Sequence, residues 1–115
     1  MDLKKFNISD NKLIEEAIEM IELNETRCVI VHNAADKIIG IVSEGDILRA
    51  ILKGISTKSP VKQIMNINFT YLKEKEDDKI IALFKKGITL IPILNQDFKL
   101  IDIVELVQYF KSKNL

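Results

Sequence analysis

The chain has 115 residues, a hydrophobic fraction of 47% and a charged fraction of 30%, ordinary values for a soluble globular protein large enough for one domain or two small halves. Seventeen basic residues balance seventeen acidic ones, so there is no positive surplus of the kind a general nucleic-acid binder needs to neutralise phosphates. No apolar run approaches the ~20 residues of a membrane span, and one cysteine excludes an internal disulfide framework.

The opening MDLKKFNISD lacks the apolar centre of a signal peptide, so the compartment expected is the cytoplasm. Ser9 or Asp10 is positioned to cap a helix carrying Ile14, Ala17, Ile18 and Ile21 on one face. Asn24-Glu25-Thr26 interrupts it. Cys28 to His32 is dense in β-branched residues and reads as a buried strand, with Cys28 a small core hydrophobe. Asn33-Ala34-Ala35-Asp36 is a turn, and Ile38 to Val42 returns as a second strand. From Glu44 the spacing is helical, with Ile47, Leu48, Ile51 and Leu52 on one side and Gly54 as the stop. That apolar side fits either a contact with a second copy or an internal core.

The second half repeats this order. Asp77 or Asp78 starts a helix with Ile80, Ile81 and Phe84, and Gly87 ends it. Ile88 to Leu94 is a strand, Asn95-Gln96-Asp97 a turn, Leu100 to Val104 the return strand, and Glu105 to Ser112 the closing helix. Lys37-Ile38-Ile39 matches Lys99-Leu100-Ile101 at an offset of 62, and Asn33 matches Asn95 at the same offset. Ala17-Ile18 matches Ile80-Ile81 at 63. Repeats that each bury one face stack on each other, so the organisation expected is residues 1–54, a connection 55–68 containing Pro60, and residues 69–115.

The junction Gly40-Ile41-Val42-Ser43-Glu44-Gly45-Asp46 closes a strand and opens a helix. A helix N-terminus exposes unpaired N–H groups and a partial positive charge. Ser43 is therefore placed either to cap the helix or to bond a phosphate or ribose. Asp46 is placed either to complete a capping box or to accept both hydroxyls of a ribose. Gly45 removes a side chain between them and leaves room for close approach.

The junction, the duplication and the element order together resemble the cystathionine-β-synthase (CBS) domain, two copies of which form a Bateman module. The family pattern is Gly, two apolar residues, Ser or Thr, two variable residues and Asp, and Gly40, Ser43 and Asp46 fill its defined positions. Thr89-Leu90-Ile91-Pro92-Ile93 is similar to the family's strand with an internal proline, and the likeness spans roughly Ile8 to Phe110. The resemblance implies an α+β fold, a tandem pair with pseudo-two-fold symmetry in which each repeat is a small sheet packed on two helices. It also implies a homodimer formed through the helices.

Carried over by position, the resemblance puts Phe69 and Thr70 near a nucleotide base. Ile88, Leu90 and Pro92 line the same pocket, and Ile41 closes it. Arg27 stands where some members place a phosphate-binding arginine; the other reading is a solvated surface residue. In the second repeat Asp102, Glu105 and Gln108 stand where Gly40, Ser43 and Asp46 stand in the first, and a carboxylate there repels an anion. One nucleotide site per chain is therefore expected, for AMP, ADP, ATP or S-adenosylmethionine, with no cofactor required.

The run from Gly45 to Gly54, with Pro60-Val61-Lys62-Gln63-Ile64-Met65-Asn66, is similar to CBS pairs that precede sugar-activating nucleotidyltransferase domains in bacteria. The chain lacks such an enzyme's Gly-rich phosphate loop, so any catalytic part lies in cis beyond this sequence or on a partner. The function implied is a ligand-sensing regulatory module, the alternative a non-binding structural dimerisation module. No catalytic pair is placed together by the sequence, and the single histidine, His32, has no second ligand at metal-binding spacing. Glu74 to Asp78 reads as a solvated helix start, and Lys111-Ser112-Lys113 as either a basic helix end or a linker to a following domain.

Overall fold

Residues 2–113, which the computed structural model describes, form strands and helices in two units, Met1–Phe69 and Thr70–Leu115. The first unit contains β1 (Asn7–Ser9), α1 (Ile14–Asn24), β2 (Cys28–His32), β3 (Ile38–Ser43) and α2 (Glu44–Leu52). Its sheet runs β1-β2-β3, with β1 parallel and β3 antiparallel to β2. Ile14, Ala17 and Ile21 of α1 pack with Val29, Val31, Val42 and Ile47, so the core lies between sheet and helices.

Helix α1 does not start at Ser9 or Asp10. Ser9 pairs with His32 in the sheet, and the Asp10 N–H donates to the His32 carbonyl at 2.9 Å. Strand pairing has claimed the residues whose side chains suit a cap. The helix opens instead at Leu13, whose N–H donates to the Glu16 carboxylate at 2.8 Å. Two of its first N–H groups, those of Ile14 and Glu15, donate to the carbonyls of Ser59 and Thr57, each at 2.9 Å. The segment after α2 thereby satisfies donors that any helix start leaves orphaned. Val61 from that segment is fully buried in the first core, and Leu13 bridges to Pro60. The connection is folded into the first unit.

The second unit contains α3 (Asp77–Lys85), β4 (Leu90–Leu94), β5 (Leu100–Glu105) and α4 (Leu106–Ser112). Ile80, Ile91, Ile93, Val104 and Tyr109 form its core. The strand expected from Ile88 starts at Leu90, because the Ile88 N–H still donates to the Leu83 carbonyl as the chain leaves α3 through Gly87 at φ 92°. Strand β4 pairs antiparallel with β5, and its other side makes one parallel bridge, Leu72 to Ile93. The Pro92 carbonyl accepts from the Leu72 N–H on that side, so the N–H that proline lacks is missed where only one bridge forms.

The duplication extends to single hydrogen bonds. The Asn33 side-chain oxygen accepts the N–H groups of Ala35 and Lys37, and that of Asn95 accepts those of Asp97 and Lys99. Each β-ladder shifts register at the same place, Val31/His32 and Ile93/Leu94. Asp36 and Phe98, 62 positions apart, share the left-handed conformation at φ 61°. Each unit is a small sheet packed with two helices, the α+β arrangement expected.

Candidate functional site

Strand β3 runs directly into α2. Ser43 ends the strand in extended conformation (φ −105°, ψ 166°) and caps the helix, its hydroxyl oxygen accepting the Asp46 N–H at 3.2 Å. Asp46 Oδ2 accepts in return from the Ser43 N–H and hydroxyl, both at 2.9 Å. This is a reciprocal capping box with Asp where Glu or Gln is usual. Asp46 Oδ1 accepts from Arg49 Nη2 at 2.9 Å, one helical turn on. A Cβ on Gly45 would lie 3.2 Å from Arg49 Nη1. The room that Gly45 leaves is taken by the guanidinium.

Gly40 has a structural reason of its own. A Cβ there would lie 2.8 Å from Met65 Sδ, and Ile41 exchanges two backbone hydrogen bonds with Asn66, at 3.1 and 2.8 Å. The connection thus extends the sheet along the edge of β3, and Ile41 is half-buried beneath it. Arg27 is exposed, and its carbonyl accepts the Glu44 N–H at 3.0 Å beside the start of α2. Its backbone is left-handed at φ 68°, as is that of Glu25 at φ 60°. Such conformations in non-glycine residues cost energy and persist where neighbours over-determine them. Here the buried Asn24 does so. Its oxygen accepts from the Thr26 N–H and hydroxyl, both at 2.9 Å, and its amide donates to the carbonyls of Lys5 and Cys28.

The first unit therefore brings Ser43, Asp46 and the Arg27 backbone together at the β3–α2 junction, with Ile41 two residues up the strand. Phe69, half-buried, closes that unit. Thr70, Ile88, Leu90 and Pro92 belong to the second, Thr70 exposed, Ile88 half-buried, Leu90 and Pro92 buried. Leu90 and Pro92 share one face of β4, and Leu90 lies opposite Glu105. Three site residues escaped the sequence reading: Asn24, Arg49 and Met65. Arg49 had a signal, since i,i+3 spacing from Asp46 places the two side chains side by side on a helix. Asn24 and Met65 act through contacts that no local spacing encodes.

The matching junction of the second unit is closed differently. Glu105 caps α4 with its own carboxylate, which accepts from the N–H groups of Val107 at 3.1 Å and Gln108 at 2.9 Å. Asp102, in the place of Gly40, pairs with Lys75 and accepts the Ile103 N–H at 2.8 Å. Burial pushes the Asp102 carboxyl up, but the Lys75 ammonium and the Ile103 N–H outweigh it and hold it below the ordinary carboxylate value. His32 Nδ1 lies 2.7 Å from Asn7 Oδ1, a pairing between neighbouring strands. Among the described residues no group of three or more His, Cys, Asp and Glu is arranged to hold a metal ion, and no helix is long and apolar enough to cross a membrane.

The family model for the CBS domain matches residues 4–53, which contain the whole junction. Residues 4–53 are a CBS domain. Solved structures of CBS-domain pairs share the fold across nearly all of the chain. A candidate acetoin utilization protein from Vibrio cholerae is 20% identical with a TM-score of 0.83, covering 95% of this chain and 82% of that one. A CBS domain protein from Pyrobaculum aerophilum, complexed with AMP, is 16% identical with a TM-score of 0.71, covering 93% and 91%. A CBS domain pair in complex with 5′-methylthioadenosine and S-adenosyl-L-methionine is 21% identical with a TM-score of 0.73, covering 94% and 89%. By sequence, an uncharacterised protein of Helicobacter pylori is 37% identical over 71 residues. That stretch is 60% of this chain, which spans only about a fifth of the Helicobacter protein's length (20%).

Proposed function

We propose that this CBS pair is a regulatory module that binds an adenine nucleotide at one site, the Gly40–Asp46 junction, and controls an enzyme attached to it or partnered with it. The observation that carries the reading is the Ser43–Asp46 constellation at the start of α2, in a fold whose solved examples include complexes with AMP and with S-adenosylmethionine. A carboxylate beside a helix N-terminus suits a ribose whose phosphate faces the exposed N–H groups. Asp46 is assigned to the ribose, Ser43 and Arg27 to the phosphate side, and Ile41 to the pocket wall. Phe69, Thr70, Ile88, Leu90 and Pro92 are assigned to the base by their positions in the family pattern. The repeats are assigned to residues 1–54 and 69–115, joined by 55–68.

One site rather than two follows from chemistry. Glu105 fills the α4 N-terminus with its own negative charge, and Asp102 adds another, so an anionic ligand meets repulsion where the first repeat offers donors. AMP, ADP, ATP and S-adenosylmethionine are the candidate ligands, and no cofactor is assigned. The enzyme controlled is assigned to the sugar-nucleotide nucleotidyltransferase class on the sequence resemblance from Gly45 to Asn66. The compartment assigned is the cytoplasm. A homodimer is part of the reading, supported by α2, where Leu48 and Leu52 are 62% and 86% exposed. The same exposure favours the second reading, a dimerisation module that binds nothing.

A thermal-shift series with AMP, ADP, ATP, GTP and S-adenosylmethionine separates the two. A ligand at 100 times its dissociation constant stabilises the fold by ~2.7 kcal/mol, a rise of several degrees. The sensor reading expects that rise from an adenine ligand and its loss in Asp46→Ala. No rise with any of the five, from a folded dimer, supports the scaffold.

A further inference from the structure

We infer that Arg49 is a built-in competitor for the ligand at Asp46, weakening the binding of ligands that present two hydroxyls and must displace it, and leaving single-hydroxyl ligands unaffected. The inference rests on the nucleotide reading and specifies how that site discriminates.

The acceptor inventory of Asp46 leads there. Each carboxylate oxygen offers about two acceptor positions. Both positions on Oδ2 are taken, by the Ser43 N–H and hydroxyl at 2.9 Å. One position on Oδ1 is taken by Arg49 Nη2 at 2.9 Å, which leaves a single position open. A vicinal diol donates twice. It is accommodated only when a bond already present is released, and the Ser43 bonds belong to the helix cap and sit in a half-buried place. Arg49 is the cheaper group to displace, because its side chain is 65% exposed against 18% for Asp46.

The guanidinium also fills the approach. Its Nη1, Nη2 and Cζ lie 3.2, 3.4 and 3.6 Å from where a Gly45 Cβ would be. A single-hydroxyl sugar uses the open Oδ1 position and has no need to displace Arg49.

Calorimetric titration of wild type and Arg49→Met with adenosine and 2′-deoxyadenosine tests this, using uncharged ligands so that loss of a positive charge does not itself change attraction. Exposed ion pairs contribute modestly, so adenosine is expected to bind Arg49→Met between about 1.5- and 5-fold tighter than wild type. 2′-Deoxyadenosine is expected to bind both proteins alike. In wild type, adenosine affinity is expected to rise between 50 and 500 mM NaCl, over the roughly threefold shortening of the Debye length, and to stay flat in Arg49→Met. Equal or weaker adenosine binding by Arg49→Met, with salt-independent wild-type affinity, overturns the competitor role and leaves the nucleotide site standing. If neither nucleoside, nor AMP, binds either protein while both give folded circular dichroism spectra, the nucleotide reading fails and takes this inference with it.

Discussion

The starts of α2 and α4 occupy the same place in the two repeats and solve the same problem by opposite means. In each, the first helical N–H donates to the carbonyl of the residue just before the neighbouring strand: Glu44 N–H to the Arg27 carbonyl before β2, Leu106 N–H to the Thr89 carbonyl before β4. At α2 the cap is a hydroxyl with a carboxylate three residues on, and one oxygen of that carboxylate is held only by the exposed Arg49. At α4 the cap is the Glu105 carboxylate itself, folded over two N–H groups. Both ends are satisfied, as stability requires. In the proposed reading, only the first is satisfied by bonds that an incoming ligand exchanges, so that a helix cap and a binding site use the same groups and differ in how easily the internal partner leaves.

The comparison can be broken first at Gly40, where the repeats differ most in packing. Gly40→Val drives a branched side chain into Met65 and should cost about 2 kcal/mol by urea unfolding, the range of an overpacked core. Asp102→Val, at the matching position, replaces a side chain already present and should cost less, since it removes mainly the partly exposed pairing with Lys75. Equal costs would show that Gly40 is not held by the connecting segment.

Next are the caps. Ser43→Ala and Glu105→Ala should each cost ~1 kcal/mol, the usual loss for a helix N-cap, measured by the same unfolding curves. The similarity in stability is itself the point, since the account separates the two ends by ligand binding and not by capping strength. Lys75→Met should cost under ~1 kcal/mol because the pair with Asp102 is partly exposed.

The smallest effect is in acid. The Tyr109 hydroxyl donates to Asp77 at 2.6 Å and, with Lys113, holds the Asp77 carboxyl below its ordinary value; the same bond raises Tyr109. A depressed carboxyl contributes stability above its unfolded value, about 3.9, and loses it as pH falls through the folded value. Tyr109→Phe should therefore flatten the decline of the melting temperature below about pH 4 and leave its slope near pH 7 unchanged. An unaltered acid limb would count against the bond.

The strands, turns and helix ends were legible because local chemistry and tertiary structure agree there. Asn33 and Asn95 announce turns through the side-chain bonds they go on to make, and Gly54 and Gly87 end helices at positive φ as their residue type allows. The start of α1 was misread because Ser9 and Asp10, good caps by type, are claimed by pairing with β2, a contact more than twenty residues away. The four-residue apolar side of α2 was only half informative: Ile47 is buried, while Leu48, Ile51 and Leu52 remain exposed. Periodicity identifies a face but not what covers it. At the junction, residue type revealed Ser43 and Asp46 and left both of their roles open. The bond lengths show the capping role filled, and with it the partner, Arg49, that residue type alone did not single out.

The most direct test of the central claim is the thermal shift produced by AMP in wild type, Asp46→Ala and Glu105→Ala, each read against its own ligand-free melting temperature so that lost capping cancels. The account predicts a rise of several degrees in wild type at saturating AMP, the same rise in Glu105→Ala, and none in Asp46→Ala. A rise that survives Asp46→Ala, or that disappears in Glu105→Ala instead, would contradict the assignment of the site to the first repeat.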